Sequence, residues 1–138
     1  MPGANARALD KARSLDADVL ILDLEDAVAP DAKAEAREQV ARALREGGYG
    51  QRECVVRVNA LDTPWGQDDV AAIAQAGAHA VLLPKVQSAA QLDALAQALD
   101  AAGAPPDLPL WAMAETPLGF LRLDAIAGGH PRLAAIVV

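Results

Sequence analysis

Apolar residues fall along this chain in short unbroken runs, separated by longer segments where they recur at helical intervals. The runs are Val19-Leu20-Ile21-Leu22, Cys54-Val55-Val56-Arg57-Val58, Ala80-Val81-Leu82-Leu83, Leu110-Trp111-Ala112-Met113-Ala114, and Leu133 to Val138. Short, nearly continuous apolar runs fit strands covered on both faces, as in parallel sheets. The β-branched residues of the last run favour a strand over a helix there. The intervening segments carry helix signals. One helix covers about Asn5 to Leu15. After Ala29-Pro30-Asp31, a stretch rich in Ala, Glu, Arg and Lys runs to Arg45, with Val40 and Leu44 on one face and Gly47-Gly48 as its stop. Asp68 is placed to cap a short helix carrying Val70 and Ile73, ended by Gly77. Ser88 and Gln91 have the capping-box spacing, and Leu92, Leu95 and Leu99 follow at helical intervals. Thr116-Pro117 supplies a cap and a first-turn proline for a helix that ends at Gly128-Gly129.

Regular alternation of helix and strand predicts an α/β fold with a parallel sheet and right-handed crossovers. Met1-Pro2-Gly3 reads as the exit of a strand whose body is missing, and the last run as a buried strand with nothing after it. Two architectures compete: a complete small doubly wound domain, and about six of the eight strand–helix units of a (β/α)8 TIM barrel, a fold that takes ~250 residues. The second is preferred. Residues 1–138 are then one domain, an incomplete barrel lacking its C-terminal units.

Composition narrows the function. The chain has 138 residues, 12 basic and 19 acidic side chains and a formal net charge of −7, with 53% hydrophobic residues. That apolar fraction excludes a disordered chain. The acidic balance argues against nucleic acid as a partner, because phosphate neutralisation needs clustered Lys and Arg. The 3% of aromatic residues also argues against a stacking platform for single strands. No apolar run approaches the ~18 residues of a membrane span, and the first residues lack the plan of a signal peptide. The single cysteine, Cys54, cannot form an internal disulfide. A cytoplasmic protein is expected.

Charge gathers where the predicted strands end: Asp23-Leu24-Glu25-Asp26, Arg57-Val58-Asn59, Pro84-Lys85 and Glu115-Thr116. Side chains alternate along a strand, so Ile21, Asp23 and Glu25 share one face, as do Val55, Arg57 and Asn59, and Trp111, Met113 and Glu115. In parallel α/β folds the carboxyl ends of the strands form the ligand site. An unpaired charge in a buried strand would be costly, so Glu25, Arg57, Lys85 and Glu115 together mark a pocket. Converging carboxylates suit a hard divalent cation, most simply Mg2+ with retained waters. Arg57 offers a bidentate fork to a substrate carboxylate or enolate oxygen. His79 and Cys54 lie at the opposite strand ends, and His130 in the loop before the last strand, so none of the three is placed for catalysis. No Gly-rich phosphate loop, serine nucleophile elbow or CxxC is present.

The segments MPGANARALDKA, ADVLILDLEDAVAPDAKAEAR, CVVRVNALDTPWGQDD, AVLLPKVQSAAQLD and WAMAETPLGF resemble the HpcH/HpaI aldolase/citrate lyase β-subunit superfamily, most closely its acyl-CoA branch. The resemblance runs over essentially the whole chain. It implies a Mg2+-dependent carbon–carbon lyase with a (β/α)8 barrel, commonly trimeric or hexameric, that cleaves citryl-, malyl- or citramalyl-CoA-type thioesters by retro-aldol or Claisen chemistry. It further implies that Arg57 binds substrate and stabilises the enolate, and that Glu115 holds the metal. Glu25 and Asp26, with Asn59, would stand behind the metal and its waters. Lys85 would lie at the pocket edge, against a CoA thioester or 2-oxo acid. The family's second metal ligand, an aspartate in a Gly-x-x-Asp-Leu stretch, would fall beyond Val138, as would a lid that supplies an acid/base aspartate to a neighbouring subunit. The alternatives are a catalytically inactive fragment, a small doubly wound binding module, or a receiver-type phosphoacceptor. The last fits poorly, since the acids cluster on one strand and Arg57 has no place in it.

Overall fold

The computed structural model describes residues 1–138. Strands β1 (Val19–Asp23), β2 (Glu53–Arg57), β3 (Ala80–Leu83), β4 (Leu110–Met113) and β5 (Leu133–Val137) form one parallel sheet in the order β1-β2-β3-β4-β5. A bridge between Pro2 and Asp23 occupies the position before β1, where the sequence predicts the exit of another strand. Helix α1 (Ala6–Ala12) precedes β1. Helices α2 (Lys33–Glu46), α3 (Gly66–Ile73), α4 (Ala89–Ala101), α5 (Pro117–Leu121) and α6 (Leu123–Ala127) connect the strands.

The strand order decides between the two predicted architectures. A doubly wound sheet reverses its order at a switch point and carries helices on both faces. Here the order never reverses, and the helices lie on one side. Leu20, Leu22, Cys54, Val56, Val81 and Leu83 point into a core shared with Val40, Ile73, Leu92, Leu95 and Leu99 of the helices. On the other face, Val55, Ala80 and Leu82 pack only with strand residues, namely Ile21, Trp111, Met113 and Val137. This is the wall of a (β/α)8 barrel, whose inner face is filled by strand side chains. The doubly wound reading fails on that order.

Local sequence accounts for most of the element ends. A single 3-10 turn at Pro30–Ala32 leads into α2, and Gly47, at φ 69°, ends it. At the start of α4 the Gln91 side-chain oxygen accepts from the backbone N–H groups of Gln87 (2.7 Å) and Ser88 (3.1 Å), satisfying donors that a helix start leaves unpaired. Three boundaries differ from prediction. The opening helix is shorter, with Asn5 capping it by accepting from Ala8 N–H at 3.0 Å. Helix α3 starts at Gly66 after Trp65, so Asp68 is a first-turn residue facing solvent rather than the cap. The segment predicted as one helix after Thr116 is two, broken at Arg122 (φ −118°). Thr116 caps the first piece by accepting from Gly119 N–H at 3.0 Å. A β-carbon at residue 119 would lie 2.5 Å from the Val86 carbonyl oxygen, so α5 is seated directly on the turn after β3. The chain then bends to bury Ile126 in the core. No helix is long and apolar enough to cross a membrane.

Gly66 holds the loop between β2 and α3 against its own start, since a β-carbon there would collide with the Ala60 carbonyl. Gly66→Ala is expected to destabilise the protein by about 1–3 kcal/mol through overpacking, read as a lower urea midpoint. An unchanged midpoint would contradict this close approach.

Candidate active site

Register brings the first two charges together. Asp23 ends β1 and pairs across the ladder with Arg57 at the end of β2. Arg57 donates from Nε to Asp23 Oδ1 and from Nη2 to Asp23 Oδ2, each at 2.7 Å. Asp23 also accepts from the backbone N–H groups of Glu25 (2.9 Å) and Ala27 (3.0 Å). Burial alone would raise the Asp23 pKa; the guanidinium and the two N–H groups outweigh it and hold the carboxyl below the usual range. The hydrogen bonds to Asp23 in turn keep Arg57 more firmly protonated. The fork expected to meet a substrate carboxylate is therefore engaged by Asp23. The nitrogen left over, Nη1, faces Glu25 Oε2 at 3.3 Å and Met113 Sδ at 3.5 Å.

Glu25 passes the network to β3. Its Oε1 accepts from the Lys85 ammonium, and its Oε2 accepts from Asp26 N–H at 3.0 Å. The same ammonium lies 3.4 Å from Asp26 Oδ1, and hydrogen bonding to Glu25 raises the Lys85 pKa. Lys85 is the one non-glycine residue with a positive φ, 52°, a conformation that costs about 1–2 kcal/mol for an L-residue with a side chain. Its N–H donates to Glu115 Oε1 at 3.0 Å. Side-chain and backbone contacts thus run unbroken from Asp23 through Arg57, Glu25 and Lys85 to Glu115, across the exits of β1 to β4.

A cleft of about 510 Å³ opens beside this network. Glu25, Asp26, Asn59 and Lys85 line it, together with Lys33, Asp62, Thr63, Trp65, Gln87 and Gln91. Arg57 and Glu115 do not line it and reach it through Glu25 and Lys85. Two buried ties fix its floor. Lys33 donates to the carbonyls of Leu24 (2.9 Å) and Glu25 (2.7 Å), with its ammonium 5.1 Å from the Trp65 ring centre. Burial lowers the Lys33 pKa, against the pull of Asp69 and Glu25. The Asn59 amide donates to Leu24 O (2.8 Å) and Asp69 Oδ2 (2.6 Å), and Asp69 accepts in addition from Asn59 N–H and Arg37 Nε. Asn59 thus braces the loop after β1, with its amide committed to that loop and to Asp69.

Asp23 stands among the charged strand exits on the face of Glu25, but its role as the partner of Arg57 is not visible there. Asp69, Lys33, Trp65, Asp62 and Thr63 lie away from the strand exits. Asp69 carries a signal of its own: it lies one helical turn before Ile73 on the buried face of α3. The other four have none. His79 and Cys54 sit at the opposite rim, where Cys54 N–H donates to His79 Nδ1 at 3.0 Å and burial pushes the thiol pKa up. His130 Nδ1 accepts from Arg132 N–H at 3.1 Å.

The donor set bears on a cation. No group of three His, Cys, Asp or Glu side chains encloses a metal position. Both Glu25 oxygens face cationic partners. Glu115 has one oxygen on the Lys85 N–H and the other free of hydrogen bonds. Mg2+ is held by one or two carboxylates and keeps several waters, so Glu115 fits one protein ligand of such a site but does not complete it.

The Asp23–Arg57 pair makes stability depend on pH with a defined sign. A carboxyl with a depressed folded pKa contributes stability that is complete above its unfolded value, about 4, and is lost as pH falls through the folded value. Asp23→Asn, which takes the ionic partner from Nε and Nη2 of a largely buried guanidinium and leaves it only Glu25, is expected to cost about 2–3 kcal/mol at pH 7. It should also flatten the fall in stability below about pH 4, read by urea unfolding across pH. Identical slopes in the two proteins would contradict the assignment.

The chain is similar to several known proteins. A (3S)-malyl-CoA thioesterase from Cereibacter sphaeroides is 49% identical over 138 residues, which is 100% of this chain and 46% of that protein. Citrate lyase subunit beta from Escherichia coli K12 is 41% identical over 143 residues, covering 100% of this chain and 47% of the relative. The crystal structure of protein CitE from Mycobacterium tuberculosis with magnesium, acetoacetate and coenzyme A superposes with a TM-score of 0.74 at 34% identity, over 99% of this chain and 45% of that one. The chain spans about half the length of the curated relatives it matches. The model of the HpcH/HpaI aldolase/citrate lyase family matches residues 1–138, and the chain belongs to that family.

Proposed function

We propose that the protein containing this chain is a Mg2+-dependent carbon–carbon lyase acting on a β-hydroxyacyl-CoA thioester of the citryl-, malyl- or citramalyl-CoA type. The observation that carries this reading is the continuous network from Asp23 to Glu115 at the carboxyl ends of β1 to β4, beside a polar cleft, in a member of this family. Glu115, with a free carboxylate oxygen, would hold the cation. Mg2+ when bound would act as a Lewis acid, lowering the pKa of the substrate hydroxyl and polarising the emerging carbonyl. Arg57 would turn Nη1 to the oxygen of the thioester enolate that forms when the carbon–carbon bond breaks, with Asp23 fixing its charge and orientation. Glu25 and Asp26 would accept hydrogen bonds from water near the cation. Lys85 would stand at the edge of the substrate pocket, with its ammonium on Glu25 and Asp26.

A second reading has its own support. The relatives at 49–50% identity are named thioesterases, while those named lyases stand at 38–41%. Hydrolysis of the thioester by the same polar site is the competing reaction, and the products separate the two.

With the full-length protein, malyl- or citramalyl-CoA and Mg2+, the lyase reading predicts an oxo acid and a shorter acyl-CoA. Hydrolysis predicts the free hydroxy acid and the CoA thiol. Chelation of the metal is expected to abolish turnover, and Arg57→Ala to lower kcat/KM about 10²–10³-fold, the cost of a lost oxyanion donor. Turnover that survives both would contradict the mechanism.

A further inference from the structure

Continued as an extended strand, β3 would carry the Lys85 side chain to the helix-facing side, with Val81 and Leu83. Glu25 continues the opposite parity, that of Ile21 and Asp23 on the inner face. The left-handed backbone of Lys85 (φ 52°) breaks the alternation. One kink then has two effects. It carries the ammonium onto Glu25 and Asp26, and it aims the backbone N–H at Glu115 Oε1, 3.0 Å away. The turn is held from both sides. Val86 N–H donates to the Met113 carbonyl at 3.0 Å, and the missing β-carbon of Gly119 admits the Val86 carbonyl. Strained conformations of this kind persist only where the surroundings over-determine them, and they gather at functional sites.

We propose that Lys85 is a positioning residue with two separable roles: its backbone N–H fixes the carboxylate of Glu115, and its ammonium fixes Glu25 beside Arg57. The exits of β1 and β4 are thereby locked in one arrangement. The inference rests on the proposed function only in taking Glu115 as a cation ligand. Backbone and side chain act through different atoms, so substitutions can part them.

The test uses Lys85→Gly and Lys85→Val in the full-length protein. Both lack the ammonium. Glycine keeps the left-handed backbone, whereas a β-branched residue is driven out of it. The readout is the Mg2+ concentration giving half of the metal-induced rise in Tm. It is expected to stay within about threefold of wild type in Lys85→Gly and to rise about tenfold in Lys85→Val, the factor that corresponds to the left-handed penalty. Equal midpoints in the two variants would overturn the backbone role. If Lys85→Val does not fold, Lys85→Asn, which tolerates this conformation, is set against Lys85→Ala by the same criterion. Lys85→Arg should recover part of the kcat lost in Lys85→Gly, and no recovery would overturn the ammonium role. Amide exchange at Lys85, by NMR without metal or substrate, should be slow in wild type and faster in Glu115→Ala; equal rates would overturn the clamp. That last measurement needs neither turnover nor cation, so it judges the clamp even if wild type shows no Mg2+ stabilisation and the lyase reading fails.

Discussion

A charge at the end of a buried parallel strand must be paired before it can do chemistry, and in this protein the Asp23–Arg57 pair meets that requirement first. Both residues are mostly covered, and their two hydrogen bonds join neighbouring strands at the same ladder position. Removing either would take its main partner from a mostly covered charge, leaving Arg57 only Glu25 or Asp23 only two backbone N–H groups. Because Asp23 occupies Nε and Nη2, Arg57 has one direction left to face, and Glu25 stands there. Every later contact in the network follows from that orientation. Glu25 is anchored from behind, since Lys33 holds its carbonyl while Asn59 and Asp69 hold the loop that carries it.

Much of this was legible in the residues. Continuous apolar runs located all five strands, because a strand covered on both faces has no use for polar positions. Period-two alternation put Asp23 and Glu25 on one face and Met113 and Glu115 on another, and the strand exits followed. The sheet order was not legible, because helix–strand alternation is shared by barrels and doubly wound domains. It emerges only from the pairing of the strands, and the packing agrees with it, since Val56 and Leu83 meet the helices while Val55 and Leu82 do not. The occupancy of the Arg57 fork depends on strand register, which no single strand encodes. Lys85 has no glycine or asparagine to announce its left-handed backbone; its conformation is held by Met113, Glu115 and Gly119 from outside the segment. Trp65 and Asp62 come to the cleft on a loop, where no periodicity operates.

The two rims of the sheet divide the work of the chain. At the carboxyl ends, the basic Arg57 of β2 and Lys85 after β3 stand between the acids at the exit of β1 and Glu115 after β4, and the cleft beside them is lined mostly by polar residues. At the amino ends, His79 and Cys54 are tied to backbone and core. The separation matches the division found in barrels, where loops at one face carry chemistry and the other face carries stability. An overall charge of −7 is thus a poor guide to the site, where Arg57, Lys85 and Lys33 stand among the acids.

In the proposed function the exits of β1 to β4 serve one cation-dependent site, with Glu115 touching the ion. The most direct measurement is the anomalous scattering of Mn2+ soaked into crystals of the full-length protein in place of Mg2+. One strong peak is expected within coordination distance of the Glu115 carboxylate, on the side of the sheet that carries Glu25 and Arg57. A peak at the His79 rim, or full occupancy at a position that does not involve Glu115, would contradict it.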